Sequence, residues 1–200
     1  MAFTTLISAA ETASRLGTEA PLVLLDCRFD LTDTGAGERD WAAGHLPGAF
    51  YAHLDRDLSG AKTGRNGRHP LPAFETFAVT AGRWGVAPDV QVVVYDAQGG
   101  PYAARAWWLL RWLGHEAVAV LDGGLAAWLK AGGALATEAP APTASPPYPA
   151  AAPAMPTIDT EALLARLGQV RLLDARAAER FRGEVEPLDP VAGHIPGATQ

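Results

Sequence analysis

The sequence predicts an α/β protein built on a parallel sheet flanked by helices, with one complete copy of the fold and the start of a second. Three observations carry that prediction. Short apolar runs that stop at an aspartate alternate with longer helical patterns, as in strand–helix–strand units. The hexapeptide GHLPGA at residues 44–49 returns as GHIPGA at 193–198, so His45 recurs as His194, 149 residues on (45 to 194). LLDCR at 24–28 returns as LLDAR at 172–176, an offset of 148 (24 to 172). Two matches at nearly one offset mark a duplicated unit.

Taken in order, the opening MAFTTLISAAETASRLG reads as an amphipathic helix and lacks the basic start of a signal peptide. Residues 22–25 form an apolar run ending at Asp26, and residues 92–95 another ending at Asp96; both are expected to be buried strands. Gly99-Gly100-Pro101 then opens a helix over 102–113, closed by Gly114. Residues 117–121 make a third strand and 125–130 a helix ending at Gly132-Gly133. Strands separated by helices pair in parallel and bury both faces. Seven prolines between Pro140 and Pro156 exclude a packed element, so an extended, semi-rigid linker is expected. Cap residues at 157–160 precede a helix over 161–167, and 170–173 is the next strand. The expected organisation is a first domain over 1–133, a linker over 134–156 and the N-terminal part of a second domain over 157–200. The first copy continues for about 80 residues past its GHLPGA, whereas two residues follow GHIPGA; two whole copies would need roughly 280. The sequence is therefore read as a piece that stops within its second domain.

Composition narrows the function classes. With 48% apolar residues and a net charge of -6, the chain is expected to be a soluble globular protein. An acidic balance speaks against nucleic acid or a membrane surface as partner. No apolar run approaches the roughly 18 residues of a membrane span. Cys27 is the only cysteine, which excludes an internal disulfide and fits a reducing cytoplasm. The histidines at 45, 53, 69, 115 and 194 are scattered, without metal-ligand spacing, and the Gly-Gly at 99–100 lacks the lysine of a phosphate loop. No metal or cofactor is expected.

Several stretches together resemble the tandem-domain rhodaneses, the thiosulfate and 3-mercaptopyruvate sulfurtransferases. They are AGHLPGAFYAHLDRDLS, RHPLP, VVVYDAQGGPYAARAWWLLRWLGHEAVAVLDGGLAAWL and LLDARAAERFRGEVEPLDPVAGHIPGA. The resemblance implies a rhodanese-like fold in both copies, with the nucleophilic cysteine only in the second. That cysteine opens a loop whose N–H groups converge on its sulfur, and it carries sulfur as a persulfide from a small anionic donor, thiosulfate or 3-mercaptopyruvate, to cyanide or a thiol. The first domain would supply one wall of the cleft. Where the family has the cysteine after its strand, the first copy has Asp96, and the matching loop of the second copy lies beyond residue 200. The 200-residue chain is therefore expected to be inactive.

The resemblance also implies particular residues. Arg180 in RFRGEVEP matches the arginine that pairs with the anionic substrate, a task suited to a guanidinium fork; otherwise it pairs with Glu179, Glu184 or Glu186. Asp55 and His69 match an aspartate and a histidine proposed in mercaptopyruvate-type relatives to form a proton relay with a loop serine; otherwise they are a turn cap and a loop residue. Leu188 lies where such relatives commonly carry an arginine for the donor carboxylate. Losing that bond costs on the order of 1.5–3 kcal/mol, which favours thiosulfate. Arg28 and Arg176, His45 and His194 occur in both copies and are expected to be structural, bonding nearby backbone. Cys27 has Ala175 as its counterpart and is expected to be a buried apolar side chain. The alternative is a non-catalytic rhodanese-like binding or regulatory module ending near residue 200. It would leave strand edges unpaired.

Overall fold

The computed structural model describes residues 2–141 and 145–200. The chain divides into two units, Met1–Met155 and Pro156–Gln200.

The first unit carries one sheet of five strands: β1 (Leu6–Ile7), β2 (Leu22–Asp26), β3 (Ala49–Tyr51), β4 (Gln91–Tyr95) and β5 (Val118–Leu121). Their order is β1-β5-β4-β2-β3, and every neighbouring pair is parallel. Alternate side chains of a strand point to opposite faces, and here both faces are apolar. Val23, Leu25, Val92, Val94 and Val118 pack beneath α3 (Phe74–Arg83) and α4 (Pro101–Trp112). Leu24, Val93, Tyr95, Ala119 and Leu121 lie in a second cluster with residues of α1 (Ala9–Leu16) and α5 (Gly124–Lys130).

The opening departs from the sequence expectation, and three further elements were not expected. The opening is not one helix. Leu6 and Ile7 pair with Val120 and Leu121, and α1 starts only after Ser8, whose side chain and that of Glu11 form a reciprocal capping box. A further helix, α2 (Ala36–Ala43), and α3 and β3 complete the unit. The apolar spacing of Phe74, Phe77, Ala78 and Ala81 carries α3, but α2 is short and polar and β3 has three residues, too little for periodicity.

The described residues of the proline-rich stretch are extended but held. Ala136 pairs with His45 in both directions, and Trp128 donates to the Ala134 carbonyl. Farther on, the Tyr148 N–H donates to Ala78 of α3 and the Ala154 N–H to Trp112 of α4, while the Tyr148 side chain is buried. Gly82 permits this approach, because a Cβ there would lie 2.2 Å from the Pro146 carbonyl oxygen. The described residues to Met155 thus belong to the first unit.

The second unit has two short helices, α6 (Thr160–Ala165), capped by Asp159, and α7 (Ala178–Phe181). The expected strand over 170–173 is reduced to a single parallel bridge between Leu173 and Thr199. Its counterpart β2 is sandwiched between β3 and β4, and the described residues of the second unit include no equivalent of β4. Among the described residues no helix is long and apolar enough to cross a membrane, and no group of histidine, cysteine, aspartate and glutamate could hold a metal ion.

Candidate functional site

In a parallel sheet, ligands gather beyond the carboxyl ends of the strands where the chain order reverses. Here that point lies between β2 and β4: from β2 the chain passes to β3 on one side, and from β4 to β5 on the other. The loop after β4, from Asp96 to Gly100, therefore faces the loop after β2. Gln98 ties them by donating to the Phe29 carbonyl.

The loop after β4 is an anion cradle. Gly100 adopts a left-handed conformation (φ 107°) and Pro101 comes next as the first helical residue, so the chain turns directly into α4. The N–H groups of Gln98 and Gly100 donate to Asp96 Oδ1 at 3.0 and 2.9 Å; those of Tyr102 and Ala103 donate to Oδ2, both at 3.0 Å. Four main-chain donors at a helix N-terminus converge on one carboxylate, which is 1% exposed. The cradle is filled by the protein's own side chain.

Cys27 is also 1% exposed. Burial first, and then the nearby Asp26 and Asp96, push its thiol well above the ordinary range, the opposite of what a nucleophile needs.

The repeated phrases form one device in each unit. Arg28 lays its guanidinium along Asp26 (Nη2–Oδ2 2.6 Å) and donates from Nη2 to the Gly44 carbonyl at 2.7 Å. Arg176 does the same with Asp174 at 2.6 Å and the Gly193 carbonyl at 2.6 Å. The arginine of each DxR phrase thus clamps the glycine that opens GHxPGA. In the first unit the clamp is buried and joined by Tyr95, whose hydroxyl donates to Asp26 Oδ2 and accepts from the Leu46 N–H. His45 lies 2.7 Å by Nδ1 from the Trp41 carbonyl and stacks on that indole; His194 lies 2.7 Å from the Phe181 carbonyl and stacks on that ring.

Asp55 and His69 are brought together, with His69 Nε2 3.4 Å from Asp55 Oδ1. The imidazole lies edge-on to Phe29, at 6.3 Å between ring centres, on the loop after β2. Burial lowers its pKa, and Lys62, Arg68 and Arg105 press in the same direction against Asp55. Lys62 and Arg105 were not singled out by sequence. Arg105, on α4, donates to the carbonyls of Leu58 and Pro70 and so fixes both ends of the loop carrying His69. The density of basic residues in AKTGRNGRHP is the signal for Lys62; nothing local marks Arg105.

Arg180, in the second unit, has its fork engaged by two carboxylates. Glu186 accepts at 2.8 and 2.9 Å and Asp189 at 2.9 Å. Glu186 is one of the partners expected of a structural arginine. No arginine occupies the stretch from Glu186 to Gly193.

Known proteins resemble this chain in sequence and fold. The family model for the rhodanese-like domain matches residues 8–131. The chain belongs to the rhodanese family. Among relatives of this rhodanese-like chain, a probable 3-mercaptopyruvate sulfurtransferase of Pseudomonas aeruginosa is 51% identical over 197 residues, which cover 96% of the chain and 69% of the relative. A putative thiosulfate sulfurtransferase of Mycobacterium tuberculosis is 44% identical over 200 residues, 96% of the chain and 68% of the relative. The crystal structure of a 3-mercaptopyruvate enzyme from Escherichia coli superposes with a TM-score of 0.79 at 31% identity, covering 98% of this chain and 74% of that one. The rhodanese-like chain thus spans about two thirds of the length of the two curated relatives.

Proposed function

We propose that this chain belongs to a sulfurtransferase whose sulfur-carrying cysteine lies outside these 200 residues. In the proposed cycle that cysteine opens the second copy of the Asp96 loop. Its thiolate attacks the outer sulfur of thiosulfate; the sulfur–sulfur bond breaks and sulfite leaves with the bonding pair. The persulfide then gives its outer sulfur to cyanide, forming thiocyanate, or to a thiol, and the thiolate returns. A reducing compartment such as the cytoplasm suits a working thiolate.

One observation carries this proposal: the cradle of the first unit holds a carboxylate, and the only cysteine is sealed in the core. A carboxylate in the cradle repels an anionic donor and is a poor nucleophile toward sulfur. A thiolate in the same four-donor cradle would be stabilised. We assign donor binding to Arg180 and proton relay to Asp55 and His69. For Arg180 to take an anion, Asp189 must yield, because its side chain is 39% exposed whereas that of Glu186 is 5% exposed. The absence of arginine around Leu188 supports thiosulfate as donor. The 51% identical relative, named for 3-mercaptopyruvate, supports that compound as the second reading.

The test compares residues 1–200 with the product of the whole reading frame, each offered thiosulfate with cyanide and 3-mercaptopyruvate with a thiol. The expected result is no turnover by residues 1–200, with or without Cys27→Ser. The longer product should turn over and show by mass an added sulfur on a cysteine beyond residue 200. Turnover by the 200-residue chain overturns the proposal. A longer product without a cysteine in that loop leaves a non-catalytic binding module.

A further inference from the structure

The Asp55–His69 pair has a third member. Lys62 Nζ lies 3.2 Å from Asp55 Oδ1, the same oxygen that faces His69 Nε2 at 3.4 Å. That oxygen is shielded from solvent yet receives no well-aligned hydrogen bond. One acceptor therefore faces both an ammonium and an imidazole, the ammonium being the nearer.

The surroundings are one-sided. Lys62 and Arg68 on the same loop and Arg105 on α4 all act on the imidazole as positive charges, and Asp55 is the opposing carboxylate. Phe29 covers the ring edge. While Lys62 occupies Asp55, protonation of His69 would add a cation among cations. If Lys62 leaves, one repelling charge goes and Asp55 Oδ1 becomes available to the imidazolium N–H. Both changes raise the proton affinity of His69. Lys62 is about half exposed, on a flexible stem whose ammonium suits a small oxyanion.

We propose that Lys62 is a positioning residue that couples capture of a small oxyanion to proton uptake at His69. With no anion bound, Lys62 holds Asp55 and His69 is the free base. An oxyanion draws the ammonium away, and His69 takes a proton from solvent, with Asp55 accepting the new N–H. No bond between heavy atoms forms or breaks. The proposal rests on the assignment of Asp55 and His69 as a proton relay.

The test is an NMR pH titration of the His69 ring in the 200-residue chain at low ionic strength, with the signal assigned by His69→Gln. Thiosulfate and sulfate serve as separate probes. In the unsubstituted chain His69 should titrate below its ordinary value, and either anion should move the midpoint upward by about half a unit or more. Lys62→Met should raise the midpoint by about one unit without any anion and abolish the anion response. Lys62→Arg should restore both features. A His69 midpoint unmoved by Lys62→Met, or an anion response of full size in that variant, overturns the proposal. Failure of the relay appears elsewhere: His69→Ala in the catalytically complete protein leaves turnover unchanged, whatever the titration shows.

Discussion

Asp96 follows β4, and its carboxylate accepts four main-chain N–H groups, two of them from the first turn of α4, which makes it the most heavily bonded side chain of the cradle. Replacing it with alanine strands those donors in a site with little access to water. Asp96→Ala should therefore lower the unfolding free energy by on the order of 3 kcal/mol, read as a fall in the urea midpoint at unchanged slope. Asp96→Asn, which keeps one accepting oxygen, should lose less. The position of Asp96 after an apolar run was legible in the sequence. The convergence of four N–H groups was not, since it depends on how Gly100 and Pro101 turn the chain. Arg105 was invisible for a related reason, because its carbonyl partners lie 35 and 47 residues away.

At the scale of elements, the extended stretch after Pro146 is the largest difference between expectation and structure. The described residues of that stretch include no helix or strand, but composition carries no information on what an extended segment packs against. Tyr148 covers His115, with ring centres 5.5 Å apart and planes at right angles. His115 is 1% exposed, and neither ring nitrogen has a hydrogen-bond partner among the described residues. Burial lowers its pKa. A histidine whose folded pKa is depressed binds protons more readily when unfolded. Its contribution is therefore intact above the ordinary value near 6.5 and is lost as the pH falls below it. Amide exchange at Tyr148 and Ala154, corrected for intrinsic rates, should show weaker protection at pH 5.5 than at pH 7.5. His115→Phe should flatten that dependence. The helix over 102–113 and the strands ending at Asp26 and Asp96 were readable because long apolar patterns bounded by glycine or aspartate leave few alternatives.

For the whole chain, the contrast between the two units sets the response to proteolysis. The first has its sheet covered on both faces, whereas in the second Leu164 and Leu173 are 68% and 75% exposed. Brief digestion with a protease of broad specificity should leave a core ending near Met155 and degrade residues 156–200, as read by mass spectrometry. A core ending instead near Gly133 would mean that the stretch to Met155 is not held. The paired phrases were legible as short local motifs, and in each unit one arginine locks the first phrase to the second. That lock has a kinetic corollary. Each arginine reaches a carbonyl only 16 or 17 residues along the chain, and ring closure over such a span takes on the order of 0.1 μs at a small entropic cost. Each unit thus carries a contact able to close before strands far apart in the chain pair.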